Sequence, residues 1–123
     1  MSYVDGFLAA VALDQRAAYL EHAQRTAALF IEVGALQVSE NWGDDVPHGT
    51  RTDFHRAVQA GDAEAVVFSW VLWPDKATGD AGWAALMADP RMAADNLPMP
   101  FDGKRLVYGG FASLLRVNRT AAG

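Results

Sequence analysis

The stretch WGDDVPHG, residues 42–49, combines an aromatic ring, two adjacent carboxylates and an imidazole. Neighbouring carboxylates on an extended backbone point to opposite sides, so Asp44 and Asp45 cannot easily form a paired acid–base unit. Aspartate beside glycine, followed by Pro47 and Gly49, is also typical of a tight turn. These residue types favour a turn over a reaction centre, and Asp44 is kept as a candidate ligand contact.

Three histidines supply possible general acids or bases, because imidazole changes its charge near neutral pH. His55 follows the aspartate-containing loop, and a carboxylate could orient it if that loop folds back. His22 lies at the border of the apolar face of a predicted helix, where it could point into a cavity. We predict His55 and His22 as catalytic candidates. The alternative is a solvated loop histidine for His55 and a boundary histidine for His22, and a solvated position is favoured for His48.

Aromatic and basic side chains supply the remaining candidates. Trp42, Trp70 and Tyr108 could line a pocket for a flat organic ligand, although the same rings could belong to the core or to a dimer interface. Arg56 could contact a carboxylate or phosphate, with solvated surface charge as the alternative. Together with Asp44, these residues form the predicted substrate-binding set.

Several classes of chemistry lack support in the sequence. The 123 residues include no cysteine, which excludes disulfides and thiolate nucleophiles and fits a cytoplasmic protein. The histidine spacing matches no short metal motif, and the GxGxxG, Walker and GxSxG patterns are absent. We therefore predict no metal and no cofactor.

The charge balance argues against polyanionic partners. Fifteen acidic and ten basic residues give a net charge of −5, and the basic residues are scattered. Nucleic-acid binding needs a basic stripe that displaces counterions from phosphates. No apolar run has the length needed to cross a bilayer. We predict no nucleic-acid partner and no membrane association.

The first half of the chain predicts two strands around a helix. Tyr3–Leu13 is apolar at odd and even positions, as in a strand covered on both faces. Helical spacing follows, with Asp14 able to cap the start and Gly34 the end. Residues 35–42 alternate between apolar and polar, which is typical of an edge strand.

The second half repeats this pattern in the order strand, helix, strand. Residues 64–73 are the most apolar strand. Asp75 can cap the next helix, in which Gly79 and Gly82 cost about 1 kcal/mol each relative to alanine. A last strand is predicted from Lys104 to about Val117. We predict one domain over residues 1–117 and a flexible tail over 118–123.

This order, β-α-β-β-α-β, predicts a ferredoxin-like α+β fold with a four-stranded antiparallel sheet. Two helices can cover only one face of that sheet, yet the two central strands are apolar on both faces. A second copy of the chain, packed sheet against sheet, is the economical cover because two-fold dimers are the commonest oligomers. We therefore predict a homodimer.

Six segments in order along the chain, from Ser2 to Phe111, also resemble a known family. They are SYVDGF, ENWGDDVPHG, TDFHRAVQA, VVFSWVLWPDK, MADPRM and MPFDGKRLVYGGF. They are similar to the YbaA-like family of bacterial proteins, domain of unknown function 1428. The resemblance implies a dimeric α+β barrel, a superfamily that includes cofactor-free monooxygenases, haem-degrading enzymes, lactone isomerases and binding proteins. Fold does not select among these activities, and the family has no established catalytic residues to carry over.

We predict a protein that binds a small organic molecule in a cavity between sheet and helices. A cofactor-free enzyme of monooxygenase or isomerase type is one form of this function. The alternative is a non-catalytic dimer with a structural or protein-interaction role.

Overall fold

The computed structural model describes residues 1–120 as a four-stranded antiparallel sheet with helices packed against it. The strands are β1 (Tyr3–Ala12), β2 (Gln37–Trp42), β3 (Glu64–Trp73) and β4 (Val107–Ala112). The helices are α1 (Arg16–Glu32), α2 (Phe54–Ala57) and α3 (Lys76–Met87). Three 3₁₀ turns span Leu13–Gln15, Pro90–Met92 and Gly103–Arg105. The predicted tail, 118–123, falls partly outside the described residues.

The sheet order is β2-β3-β1-β4, so β3 and β1 are central and all neighbouring strands are antiparallel. This confirms the predicted ferredoxin-like α+β fold. Only the short α2, between β2 and β3, adds to the predicted order of elements. None of the helices within residues 1–120 has the length and apolar character required to cross a membrane.

The strand register divides the sheet into two faces, because residues directly opposite each other point to the same side. Phe7 and Glu40 both pair with Ser69, and these three lie on the side covered by α1 and α3, which we call the helix face. On the other side, Leu8 pairs with Phe68, and Val4 pairs with Phe111. We call this second side the open face.

The helix face carries the main core. Trp73 of β3 is completely buried, and it packs with Phe30 of α1 and Leu86 of α3. Gly79 and Gly82 of α3 lie directly against the Trp73 ring, and a β-carbon on Gly82 would lie 2.6 Å from it. The two glycines therefore give the helix the close approach that this packing requires.

Most of the predicted element ends match the structure, with two corrections. Asp75 caps α3 by accepting a hydrogen bond from the Thr78 backbone N–H, and Gly34, with a φ of 115°, follows the end of α1. Asp14, however, does not cap α1, because it lies in a 3₁₀ turn and the residue at the helix start, Gln15, makes no capping bond.

The last strand is the second correction. It starts at Val107 rather than Lys104, because Gly103–Arg105 forms a 3₁₀ turn. It ends at Ala112 rather than near Val117, since Ala112 pairs with Tyr3, the first residue of β1. Only one further backbone bond follows, from the Ser113 N–H to the Ser2 carbonyl, 3.0 Å. A strand needs a neighbour for its backbone hydrogen bonds, and β1 offers none beyond that point.

Candidate functional site

A pocket of about 160 Å³ lies between the helix face and α1. For comparison, an engineered apolar cavity of about 150 Å³ binds benzene. The pocket therefore has the size of a single six-membered ring. Its walls are mainly aromatic and aliphatic, and they include Phe7, Phe30, Val38, Val71, Trp83, Met92, Phe101 and Leu106.

Polar side chains from three elements also line this pocket. Tyr19 of α1 is buried, and its hydroxyl donates a hydrogen bond of 2.7 Å to Glu40 Oε2 on β2. Ser69 of β3 is the cross-strand partner of Glu40, and its hydroxyl lies within reach of both Tyr19 and Glu40. We call Tyr19, Glu40 and Ser69 the polar cluster.

Burial sets the protonation behaviour of the polar cluster. Desolvation raises the pKa of Glu40, although the hydrogen bonds from Tyr19 and Ser69 oppose the rise. Glu40 is on the edge strand and keeps much of its surface exposed, so its carboxylate can exchange protons with solvent. Desolvation and the neighbouring Glu40 charge raise the pKa of Tyr19 well above its usual value, which keeps that hydroxyl protonated.

His22 lies three residues after Tyr19 and therefore on the same face of α1. Its Nδ1 is buried without a hydrogen-bond partner. Desolvation lowers the pKa of His22, while a backbone hydrogen bond to Pro98 opposes this change. The ring centroid lies 6.4 Å from that of Tyr19 and 6.0 Å from that of Phe101. A neutral imidazole thus borders the pocket beside the polar cluster.

Two predicted tryptophans lie near the pocket in different ways. Trp42 is on the helix face, with its ring centroid 6.3 Å from that of Tyr19 and Arg16 over its ring, but it does not line the pocket. Trp70 borders the pocket, yet its indole N–H donates 2.8 Å to Gln37 Oε1, and its ring contacts Phe68 on the open face. Alternation along β3 therefore directs the Trp70 ring away from the pocket.

The other predicted residues are placed elsewhere. Tyr108 is on the edge strand β4 and is 73% exposed. His55 and Arg56 belong to α2, which packs on the open face through the contact of Phe54 with Phe68. Asp44 is exposed in the loop before α2. The sheet thus separates His22 from His55 and Arg56.

Local contacts account for His55 and Arg56 in this loop. His55 Nε2 lies 2.9 Å from the Val46 carbonyl oxygen, and its ring stacks on His48 with centroids 4.0 Å apart. Arg56 donates to the Gly49 carbonyl at 2.8 Å and lies 3.2 Å from Asp53 Oδ2. These bonds shape the turn that the WGDDVPHG composition predicts.

The polar cluster is not among the predicted site residues, although the sequence carries a signal for it. Glu40 falls on the same side of β2 as Val38 and Trp42, which are partly buried apolar residues. Ser69 is a buried polar residue within the most apolar strand. A polar residue on the apolar side of a strand needs a partner, and each of these two is a partner of the other.

No group of three or more histidine, aspartate or glutamate side chains in residues 1–120 is arranged to hold a metal ion. Elemental analysis of the purified protein is the test of the prediction that no metal is bound.

Comparisons with known sequences identify a family that matches this chain. The family described as protein of unknown function, DUF1428, matches residues 2–103. The uncharacterized protein YbaA of Escherichia coli K12 is 51% identical over 115 residues, covering 94% of this chain and 98% of YbaA. A YbaA protein of Shigella flexneri matches with the same identity and coverage.

Comparison with solved structures agrees with the fold. A mutant form of SnoaB, a cofactor-independent oxygenase from Streptomyces nogalater, has a TM-score of 0.59 at 16% sequence identity. The match covers 95% of this chain and 98% of the SnoaB chain. At that identity the likeness concerns the fold alone.

Proposed function

We propose that this chain, which belongs to the DUF1428 family of proteins of unknown function, binds a small organic molecule in the pocket between its sheet and α1. The pocket carries the proposal, because it combines apolar walls of ring size with a few convergent polar groups. That combination is typical of small-molecule sites. His22 is the predicted residue that this proposal retains, and the polar cluster joins it.

In the enzymatic version of this proposal, the protein catalyses a reaction of the bound compound without a cofactor. A neutral His22 is able to accept a proton from a bound compound, and a Glu40 with a raised pKa is suited to proton exchange nearer neutral pH. SnoaB, an oxygenase that needs no cofactor, has the same fold and makes this class of chemistry worth testing first.

The proposal is tested by filling the pocket. Ala9 lines it and is buried, so Ala9→Leu places three additional carbons in the space for the ligand. We expect single-ring aromatic compounds to bind the variant at least about tenfold more weakly, measured by calorimetry or by quenching of tryptophan fluorescence. Ala17→Leu, at an exposed position of α1, is the matched control. Unchanged binding to Ala9→Leu contradicts the proposal.

The open face supports a second proposal, a homodimer. Phe68, Val107 and Phe111 are 44%, 41% and 62% exposed on this face of the single chain. A contiguous apolar patch of this kind is typical of an interface. A dimer without ligand chemistry is the non-catalytic alternative, and it gains weight if no compound binds the pocket. The cytoplasm remains the predicted compartment.

A further inference from the structure

His22 lines the pocket, and its Nδ1 is buried without a hydrogen-bond partner. Within residues 1–120, it is the buried side-chain nitrogen or oxygen that lacks a hydrogen-bond partner. Leaving such a group unpaired costs about 1–3 kcal/mol, so buried polar groups are normally satisfied. A ligand that supplies the missing partner recovers that free energy on binding.

The charges around the pocket restrict which ligand can do so. Its lining residues, all within the described chain, include the carboxyl group of Glu40 and no lysine or arginine. A carboxylate or phosphate ligand would lose its hydration on entering the pocket, with no cation there to compensate. It would also be repelled by the neighbouring carboxylate. An uncharged ligand avoids both penalties.

The hydrogen-bonding chemistry of imidazole narrows the class further. In neutral histidine, Nδ1 is a donor in one tautomer and an acceptor in the other. The backbone of Pro98 offers only a carbonyl oxygen, so its hydrogen bond to His22 places the ring hydrogen on the other nitrogen and leaves Nδ1 as an acceptor. A hydroxyl group can donate to that acceptor, whereas a carbonyl oxygen cannot. The polar group of the ligand is therefore best supplied as a hydroxyl.

The aromatic walls of the pocket can pack against the apolar part of the ligand. Trp83 lies near Phe30 and Phe7, with ring centroids 5.0 and 6.2 Å apart, and both pairs border the pocket. Ring edges and faces arranged in this way pack favourably against another ring. The volume of about 160 Å³ accommodates one such ring.

Resting on the proposed function, we propose that the pocket selects an uncharged single-ring compound that carries a hydroxyl group, and that His22 determines this selectivity through a hydrogen bond at Nδ1. Phenol is the simplest probe of this class. Benzene has the same ring without the hydroxyl, and benzoate has the same ring with a negative charge.

The first experiment compares these three probes on the unmodified protein by calorimetry at pH 7.5. We expect phenol to bind about 2- to 13-fold more tightly than benzene, the range that one neutral hydrogen bond supports. We expect benzoate to bind at least about tenfold more weakly than phenol. Equal binding of phenol and benzene, or a preference for benzoate, overturns this inference and leaves the proposed function standing. Failure of every ring to bind overturns both.

The second experiment assigns the selectivity to His22. His22→Phe keeps an aromatic ring and removes both nitrogens, so the affinity for phenol should fall to that for benzene while benzene binding persists. His48→Phe makes the same change at an exposed loop position outside the pocket and should retain the phenol preference. A preference that survives in His22→Phe contradicts the assignment. If thermal unfolding shows that His22→Phe does not fold, the comparison on the unmodified protein decides the inference.

Discussion

Tyr19 links the pocket to the stability of the fold. Its hydroxyl donates to Glu40 across the gap between α1 and β2, while its ring packs against Trp42 and Phe101. Because the ring is buried, the hydroxyl can reach few partners besides the polar cluster. The hydrogen bond between Tyr19 and Glu40 thus couples the position of α1 to the protonation state of the Glu40 carboxylate on β2.

Tyr19→Phe tests this coupling. Removal of the hydroxyl takes away a hydrogen bond that lowers the pKa of Glu40, so that pKa should rise further above its usual value. Stability should fall by about 1 kcal/mol, the usual net contribution of one hydrogen bond. A carbon-detected NMR titration follows Glu40, and urea unfolding gives the stability. Tyr108→Phe, at an exposed tyrosine, is the control, and an unchanged Glu40 titration in Tyr19→Phe contradicts the coupling.

Glu64 and Arg105 join the start of β3 to the connection that precedes β4. Arg105 donates two hydrogen bonds of 2.8 Å to the Glu64 carboxylate, and the Gly61 N–H donates a third. Arg105 first, and then Gly61, lower the pKa of Glu64 from its usual 4.5 to about 2. The unfolded chain therefore binds more protons than the folded chain between these two values.

The stability that Glu64 contributes is present above pH 4.5 and is lost as the pH falls toward about 2. Glu64→Gln removes the titrating group, so its stability should decline less steeply over this range than that of the unmodified protein. Chemical unfolding at a series of pH values measures the slope. Glu21→Gln, at a carboxylate that is 65% exposed, should keep the original slope. Identical slopes for Glu64→Gln and the unmodified protein would be inconsistent with the lowered pKa.

At the scale of elements, α3 shows how packing overrides helix propensity. Propensity alone predicts that alanine at Gly82 stabilises the helix by about 1 kcal/mol. In the fold, the added β-carbon would lie 2.6 Å from the ring of Trp73, which is completely buried and has no room to move. Forcing extra carbon into a packed core typically costs about 1–3 kcal/mol.

Gly82→Ala should therefore destabilise the protein by up to about 2 kcal/mol once the gain in helix propensity is subtracted from the packing cost. Urea unfolding followed by Trp fluorescence measures this change. Ala84→Gly, at an exposed position of the same helix, gives the propensity cost without any change in packing and should also destabilise by about 1 kcal/mol. A stabilised Gly82→Ala variant would show that α3 can move away from the sheet.

At the scale of the whole molecule, the apolar open face is the basis for the proposed homodimer. It presents apolar residues from β1, β3 and β4, and α2 covers only one end of it through Phe54 and Val58. Packing this face against a second copy would remove the exposed rings from water at about 25 cal/mol for each Å². It would also pack the open faces of two four-stranded sheets against each other.

We expect native mass spectrometry to find a species of twice 13.3 kDa, 26.6 kDa. Phe68→Asp places a charge at a partly exposed position of the open face and should shift the protein to the monomer, raising the dissociation constant at least about tenfold. Met87→Asp removes an exposed apolar residue at the end of α3 and should leave the dimer intact. A monomer at micromolar concentration would rule out the homodimer.

The sequence by itself determined the strands and the two main helices, because alternation, helical spacing and turn residues are local signals. The order of these elements, β-α-β-β-α-β, then predicted the ferredoxin-like sheet. It also anticipated that Gly34 would end α1 and that Asp75 would cap α3. The end of β4 was missed because it depends on where β1, a distant segment, begins.

Only the tertiary structure decided which candidate residues share a site. His22 and Glu40 come from different elements, and the docking of α1 on the β2–β3 register brings them to one pocket. His55 lies across the sheet from them because α2 packs through Phe54 on the open face. Residue types reveal which side chains could do chemistry, whereas non-local packing decides which of them meet.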